Sequence, residues 1–286
     1  METTIRSVRQ EVVISPANPT VLIGERINPT GKKLLAASLV EHDMSRVRKL
    51  AESQIQDGAG MLDVNVGAAG VDEVVVLPMA VRAVMEVTDL PLCIDSANAQ
   101  ALRAALQVYP GKALINSVNG EEASMRRVLP LVKEFGAAVI GLAMDDSGIS
   151  CDAATRVAIA RKIIQRAEEM GIPREDVLID CLAMTVSADT TAALVTLEPI
   201  RRVRAELGVN MTLGASNVSF GLPDREAIND IFLAMVIAAG VNAPIVNPST
   251  SRKAILISDL LLGRDEFGIT YVRYFRQQSK EAKPVG

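Results

Sequence analysis

Residues 138–180 read AVIGLAMDDSGISCDAATRVAIARKIIQRAEEMGIPREDVLID. The stretch Ala138–Leu142 is a short apolar run containing β-branched residues, the pattern of a strand covered on both faces. From Ala153 the period changes. Val157, Ile159, Ala160, Ile163, Ile164 and Ala167 recur at helical spacing, and Gly171-Ile-Pro173 ends the helix. A second apolar run, Val177–Ile179, follows and is closed by Asp180. Strand, amphipathic helix, strand is the unit from which parallel sheets are built.

The same unit repeats on either side. Strands are predicted over Thr20–Gly24, Met61–Val64, Pro91–Ile94, Ala113–Ile115, Met211–Leu213 and Ala243–Val246. Helices are predicted over Met44–Gln56, Glu73–Glu86, Ala99–Gln107, Glu121–Phe135, Thr191–Leu207, Arg225–Ala239 and Arg252–Leu262. No linker, low-complexity tract or break in composition interrupts the series. Strand–helix units repeated eight times over 286 residues predict an α/β chain closed into a (β/α)8 TIM barrel. It would be one domain spanning 1–286, with a core over about 20–263 and short extensions at both ends. An open doubly wound sheet would call for a glycine-rich phosphate loop after the first strand. That position reads GERINPTGKK; Gly31-Lys32 has no glycine five residues upstream, and Lys33 stands where Ser or Thr would belong.

Composition narrows the function. Hydrophobic residues make up 49% of the chain and charged residues 22%, which fits a folded enzyme and not a disordered segment. Aromatics are 3% and Trp is absent, so aliphatic side chains must build the core. The net charge of −4 and the lack of a basic stripe speak against a nucleic-acid partner. No apolar stretch is long enough to span a bilayer, and the start METTIRSVRQ has no secretory apolar region. Three scattered cysteines, Cys93, Cys151 and Cys181, do not make a disulfide framework, so a cytoplasmic location is expected. The single histidine, His42, reads as a solvated loop residue beside Asp43, a helix cap. Zinc sites want several His or Cys ligands, and serine or cysteine triads want a His base; neither is available. Cys93, Cys181 and the methionines read as packing residues.

In such barrels the chemistry lies where strands give way to loops. Those positions carry Glu25 and Asn28, then Asp63 and Asn65, then Asp95 and Ser96, then Asn116 and Ser117. Further on come Asp145 and Asp146, Asp180, then Ser216, Asn217 and Ser219, and finally Asn247. Asn98 and Asp224 read as helix caps. The mouth is rich in acceptors and poor in cations, which does not suit a phosphate. A metal cluster at Asp63, Asp95 and Asp180 is one reading. A flat heterocycle with several N–H donors fits better. The 2-amino-4-oxopyrimidine ring offers an amine and a ring N–H that one carboxylate can receive together.

The segments VLIGERINPTGKK, MLDVNVGAA, LCIDSAN, ALINSVN, VLIDCLAM and LGASNVSFGLPDRE occur in this order at the strand ends. Together they resemble the pterin-binding methyltransferases. That group comprises the folate-binding module of cobalamin-dependent methionine synthase and the methyltetrahydrofolate:corrinoid protein methyltransferases. The resemblance runs from about Val21 to about Leu262. It implies transfer of a methyl group between N-5 of tetrahydrofolate and the cobalt of a corrinoid (cobalamin), in a direction the sequence leaves open. No room exists for a cobalamin domain, so the corrinoid would arrive on a partner protein; homodimers are also implied. By the same resemblance Asp95, Asn116 and Asp180 would hold the pterin ring, and Asp63, Asn65 and Ser219 would line the same mouth. Asn217 would sit beside N-5 as the catalytic residue, and Arg225 would support Asn217 or the folate. Glu25 and Asn28 would shape the floor or a corrinoid-facing rim, and no metal is implied.

Dihydropteroate synthase shares the barrel and the pterin pocket. Its usual first loop and second turn are replaced here by NPTGKK and NVGAAG, and the Ser251-Arg-Lys253 lookalike falls one unit late. The synthase, or a non-catalytic folate-binding protein, is the alternative.

Overall fold

A computed structural model describes residues 1–281. The chain opens with an antiparallel hairpin, β1 (Thr3–Arg6) and β2 (Glu11–Ile14). Eight parallel strands follow: β3 (Ile23–Ile27), β4 (Met61–Asn65), β5 (Leu92–Asp95), β6 (Leu114–Asn119), β7 (Ala138–Leu142), β8 (Val177–Asp180), β9 (Met211–Gly214) and β10 (Ala243–Val246). Each pairs with the next, and β10 returns to β3, so the sheet closes. The helices are α1 (Lys33–Val40), α2 (Ser45–Gln56), α3 (Glu73–Met85), α4 (Ala99–Val108), α5 (Glu122–Phe135), α6 (Ala153–Glu169), α7 (Ala192–Glu206), α8 (Arg225–Ala239), α9 (Pro248–Leu261) and α10 (Ile269–Glu281). The expected single-domain (β/α)8 barrel is thus what forms. None of the described helices is long and apolar enough to cross a membrane.

Alternation along each strand decides what faces where. Met61, Cys93, Leu114 and Leu178 pack together inside the barrel, while the next residues, Leu62, Ile94, Ile115 and Ile179, pack outward among the helices. Side chains alternate with period two, so the residue two places on from each inward apolar group also points inward. Those residues are Asp63, Asp95, Asn116 and Asp180. The apolar floor and the polar mouth therefore come from the same face of the same strands.

The hairpin closes the opposite end. Ile5 and Ile14 are fully buried and join the interior cluster from below. Asn210 Nδ2 donates to Thr3 Oγ1 at 2.8 Å and to the Ile14 carbonyl at 2.8 Å, and Asn242 Nδ2 donates to Asn210 Oδ1 at 2.7 Å. Thr3 Oγ1 in turn donates to the Glu175 carbonyl. An Ile5→Ala substitution is expected to cost about 2–5 kcal/mol, a core truncation with an unfilled cavity. Denaturant unfolding would measure it, and a loss below about 1 kcal/mol would show that the hairpin is not part of the cooperative core.

Some boundaries differ from those expected. The first barrel strand starts at Ile23, because Thr20 is held by Asp259: its N–H donates to Oδ2 at 2.8 Å and its hydroxyl to Oδ1 at 2.7 Å. Glu25 consequently lies within β3, and Asn116 and Ser117 lie within the longer β6. The last barrel helix, α9, begins at Pro248, with Asn247 accepting from the Ser249 N–H as its cap. Asn98 caps α4 as expected. Asp224 stands at the start of α8 but makes no side-chain cap bond there. Asp43 lies one residue before the cap position of α2 and accepts from the Ser45 N–H at 2.9 Å. His42 is exposed.

Candidate functional site

The strand ladder sets the polar mouth. Asn65 pairs with Asp95, and Asp95 with Asn116, across β4, β5 and β6. Asn65 Nδ2 donates to Asp95 Oδ2 at 2.8 Å, and Asn65 Oδ1 accepts from the Gly67 N–H at 2.8 Å, which fixes the carboxamide's orientation. One layer deeper, Asn116 Nδ2 donates to Asp63 Oδ1 at 3.2 Å. The structure therefore brings Asp63, Asn65, Asp95 and Asn116 into one connected group. A cleft of about 230 Å³ opens beside it, lined among others by Asp95, Ser96, Asn116, Ser117 and Asn119.

Asp180 enters the same mouth from β8. Its Oδ1 accepts from the Leu182 N–H at 2.7 Å, in a turn where Leu182 takes φ 63°. Burial pushes its carboxyl up to about 6, against the backbone N–H groups of Leu182 and Gly214, which favour the charged form. Asp95 is also pushed up to about 6, first by burial, with the Asn65 bond acting the other way. Asp63 goes well above the usual carboxylate range, from burial and from the neighbouring Asp95 charge. Asp63, Asp95 and Asp180 accept from carboxamide and backbone N–H groups, the donor chemistry that a ligand carrying N–H groups would also bring. Among the described residues, no group of three or more His, Cys, Asp or Glu side chains is placed to hold a metal ion.

On the neighbouring strand, Ala215–Ser219 makes a 3-10 turn after β9. Asn217 at its crest is exposed, and its Nδ2 lies over Gly214, 3.7 Å from where a Cβ there would be. The turn is held from two sides. Arg225 Nη2 donates to the Ser216 carbonyl at 2.8 Å, and its Nε to Ser219 Oγ at 3.0 Å. Ser216 Oγ donates to Glu25 Oε2 at 3.1 Å. Glu25 is raised chiefly by its burial, with the Ser216 bond opposing.

Arg225 thus braces the turn that carries Asn217. Ser219 is fully buried and its hydroxyl is taken up by Arg225 and the Ser216 carbonyl. The structure places it inside the turn and not at the mouth. Asn28 shapes the loop after β3: its Oδ1 accepts from the Thr30 N–H at 2.9 Å, and its carbonyl accepts from Lys32 Nζ at 3.1 Å. The thiols of Cys93 and Cys181 are buried, and burial pushes both up, so neither is a thiolate.

The sequence reading overlooked Arg156, a fully buried guanidinium on α6 that reaches the loop after Asp180. Its signal was an arginine at position 156 on the face shared with Ala160, Ile163 and Ala167.

Comparison with known proteins adds the following. The family described as Pterin binding enzyme matches residues 24–247. A methylcorrinoid:tetrahydrofolate methyltransferase from Eubacterium limosum is 30% identical over 268 residues, covering 90% of this chain and 96% of that protein. Methionine synthases from Mycobacterium leprae and Mycobacterium tuberculosis are 30% and 31% identical over 261 residues, 87% of this chain. The chain spans only 22% of the length of either. Among solved structures, dihydropteroate synthase from Yersinia pestis gives a TM-score of 0.70 at 16% identity, covering 92% of this chain and 99% of that one. The Xanthomonas albilineans synthase gives 0.68 at 18% identity with the same coverage. At these identities the structural likeness speaks to the barrel alone.

Proposed function

We propose, since this chain belongs to the pterin-binding enzymes, that it moves a methyl group between N-5 of tetrahydrofolate and the cobalt of a corrinoid carried by a partner protein. The observation that supports this most directly is the pairing of two features at one mouth. The carboxylates are half-buried Asp95 on β5 and buried Asp180 on β8, the strand beside β9, and the exposed, braced carboxamide of Asn217 stands on the turn that follows β9. The Eubacterium limosum relative, matched over 96% of its length, carries this activity in its name.

In this reading the pterin lies flat across the polar tips of β5, β6 and β8. Asp180 and Asp95 receive its amine and ring N–H groups, and Asn116 serves its carbonyl or ring nitrogens. Asp63 and Asn65 hold Asp95 and Asn116 in place through the bonds already described. Methyl transfer away from N-5 leaves the bonding electron pair on that nitrogen, so a hydrogen bond or proton must develop there. The Asn217 carboxamide supplies the hydrogen bond, and Arg225 and Glu25 fix the turn that aims it. The corrinoid, when its carrier docks, supplies a cobalt that takes or gives the methyl. The exposed crest of the Ala215–Ser219 turn leaves N-5 open to that approach. Homodimers in the cytoplasm are part of the same proposal.

The test is direct. Protein mixed with methyltetrahydrofolate and reduced Co(I) cobalamin should produce the spectrum of methylcobalamin, and methylcobalamin with tetrahydrofolate should run the reverse. Folate binding without conversion in either direction would point to a carrier instead. Condensation of a pterin pyrophosphate with p-aminobenzoate would indicate a synthase.

A further inference from the structure

We propose that Arg156 is a positioning residue for Asp180, acting through the single peptide unit between Cys181 and Leu182. The inference rests on the reading of Asp180 as a pterin-holding carboxylate.

Arg156 is fully buried on α6, and no carboxylate among the described residues forms an ion pair with it. A buried cation is normally paired with a charge. Here its donors go to backbone carbonyls. Nη1 donates to the Cys181 carbonyl at 2.8 Å and to the Leu182 carbonyl at 3.1 Å, and Nε to the Ser150 carbonyl at 2.5 Å. Nη2 lies 3.0 Å from Met184 Sδ. All but one of these partners belong to the loop that leaves β8.

The geometry of one bond gives the arrangement a purpose. The Cys181 carbonyl and the Leu182 N–H are the two ends of the same planar amide, and in a trans unit they point in opposite directions. Arg156 holds the carbonyl end, and Asp180 Oδ1 accepts from the N–H end at 2.7 Å. A charge-assisted donor on a carbonyl polarises the amide and strengthens its N–H as a donor. Leu182 must keep φ 63° for this, a region a leucine rarely adopts, and the clamp on both flanking carbonyls holds it there. Arg156 also acts on the carboxylate at longer range, its charge opposing the effect of burial. Among the described residues, the other titratable group that acts on Asp180 is the Cys181 thiol, while its ladder neighbours Leu142 and Thr212 carry no charge.

The experiment compares wild type, Arg156→Met, Arg156→Lys and Asp180→Asn as full chains. Methyltetrahydrofolate affinity is measured from pH 5 to 8, alongside thermal unfolding. Arg156→Met is expected to weaken binding at pH 7 by about tenfold, the loss of one charge-assisted link. Its acid limb of binding should move to higher pH, because the charge that favours ionised Asp180 is gone. Arg156→Lys keeps the charge but not the fork, so affinity should fall about threefold with the limb unmoved. A structural role alone would lower the melting temperature without shifting the pH profile. Arg156→Met with wild-type affinity and an unmoved limb overturns the inference whatever its melting temperature. If that variant does not fold, Arg156→Lys with unchanged affinity does the same. Asp180→Asn separates the two levels. Unchanged affinity there removes the pterin role of Asp180 and this inference with it. Lost affinity there together with an unmoved Arg156→Met overturns the inference alone.

Discussion

Replacing Asn217 with alanine is expected to lower methyl transfer by about 10²–10³, the range seen when one hydrogen-bond donor to a developing charge is removed. Folate affinity should fall at least tenfold less than turnover does. The reasoning lies in where the donor acts. N-5 of the methylated substrate is a tertiary amine with little demand for a hydrogen bond. As the methyl departs, the electron pair it leaves behind makes that nitrogen a strong acceptor. An interaction that strengthens only along this path raises kcat and not affinity. Asn217 is placed for this work: it is exposed at the crest of its turn, and Arg225 and Glu25 hold that turn from both sides. No histidine competes for the role, since His42 is exposed in the loop that leads into α2. Asn217→Asp keeps the shape but, when ionised, offers no donor, and should fall about as far as alanine. Stopped-flow measurement of the corrinoid spectrum together with folate titration checks both. Small and equal losses in rate and affinity would remove Asn217 from the mechanism.

The barrel was legible because its pattern is local. Runs such as AVIGL and VLID carry their own strand signal, and period two then places Asp63, Asp95, Asn116 and Asp180 on the inner face without reference to any other part of the chain. What escaped reading depends on distant partners. The hairpin of Thr3–Arg6 and Glu11–Ile14 is too short to declare itself, and its value comes from Asn210 and the barrel floor. Helix α1 is one short run of eight residues behind the Pro29 and Gly31 turn signals. The extent of α9 turned on a cap, Asn247, that resembled a site residue. Ser219 resembled a ligand because a hydroxyl near a strand end looks the same in sequence whether it faces the mouth or an arginine six residues away. Arg156 was hidden for a related reason. A lone charge in an apolar stripe signals a buried partner, but the partners are carbonyls of a loop whose conformation only the folded chain reveals.

Pterin affinity is expected to collapse on acidification, and Asp180→Asn should remove at least a hundredfold of it at pH 7. Asp95 and Asp180 are each pushed up to about 6, burial being the main cause in both. The sign follows from which form binds. Amine and ring N–H donors need ionised carboxylates, so binding is full above about pH 7 and is lost as pH falls through 6. If both carboxylates must ionise, affinity falls by up to about 100-fold per pH unit well below 6, and by about tenfold if only one must. The slope therefore counts the carboxylates engaged. Free-protein stability should move the opposite way. Each buried carboxyl binds its proton more tightly folded than unfolded, so its contribution is present at low pH and is lost as pH rises from the ordinary carboxylate range through 6. Ligand should consequently raise the melting temperature more at pH 7.5 than at pH 5. Asp180→Asn tests the assignment, since a neutral amide cannot receive two N–H groups as a carboxylate does, and each charge-assisted bond is worth about 1.5–3 kcal/mol. In that variant the acid limb should also shallow from two protons to one. Calorimetric titration across pH 5–8 measures both effects. A flat pH profile in the wild type, or an Asp180→Asn variant that binds normally, would mean that these carboxylates do not grip the ring.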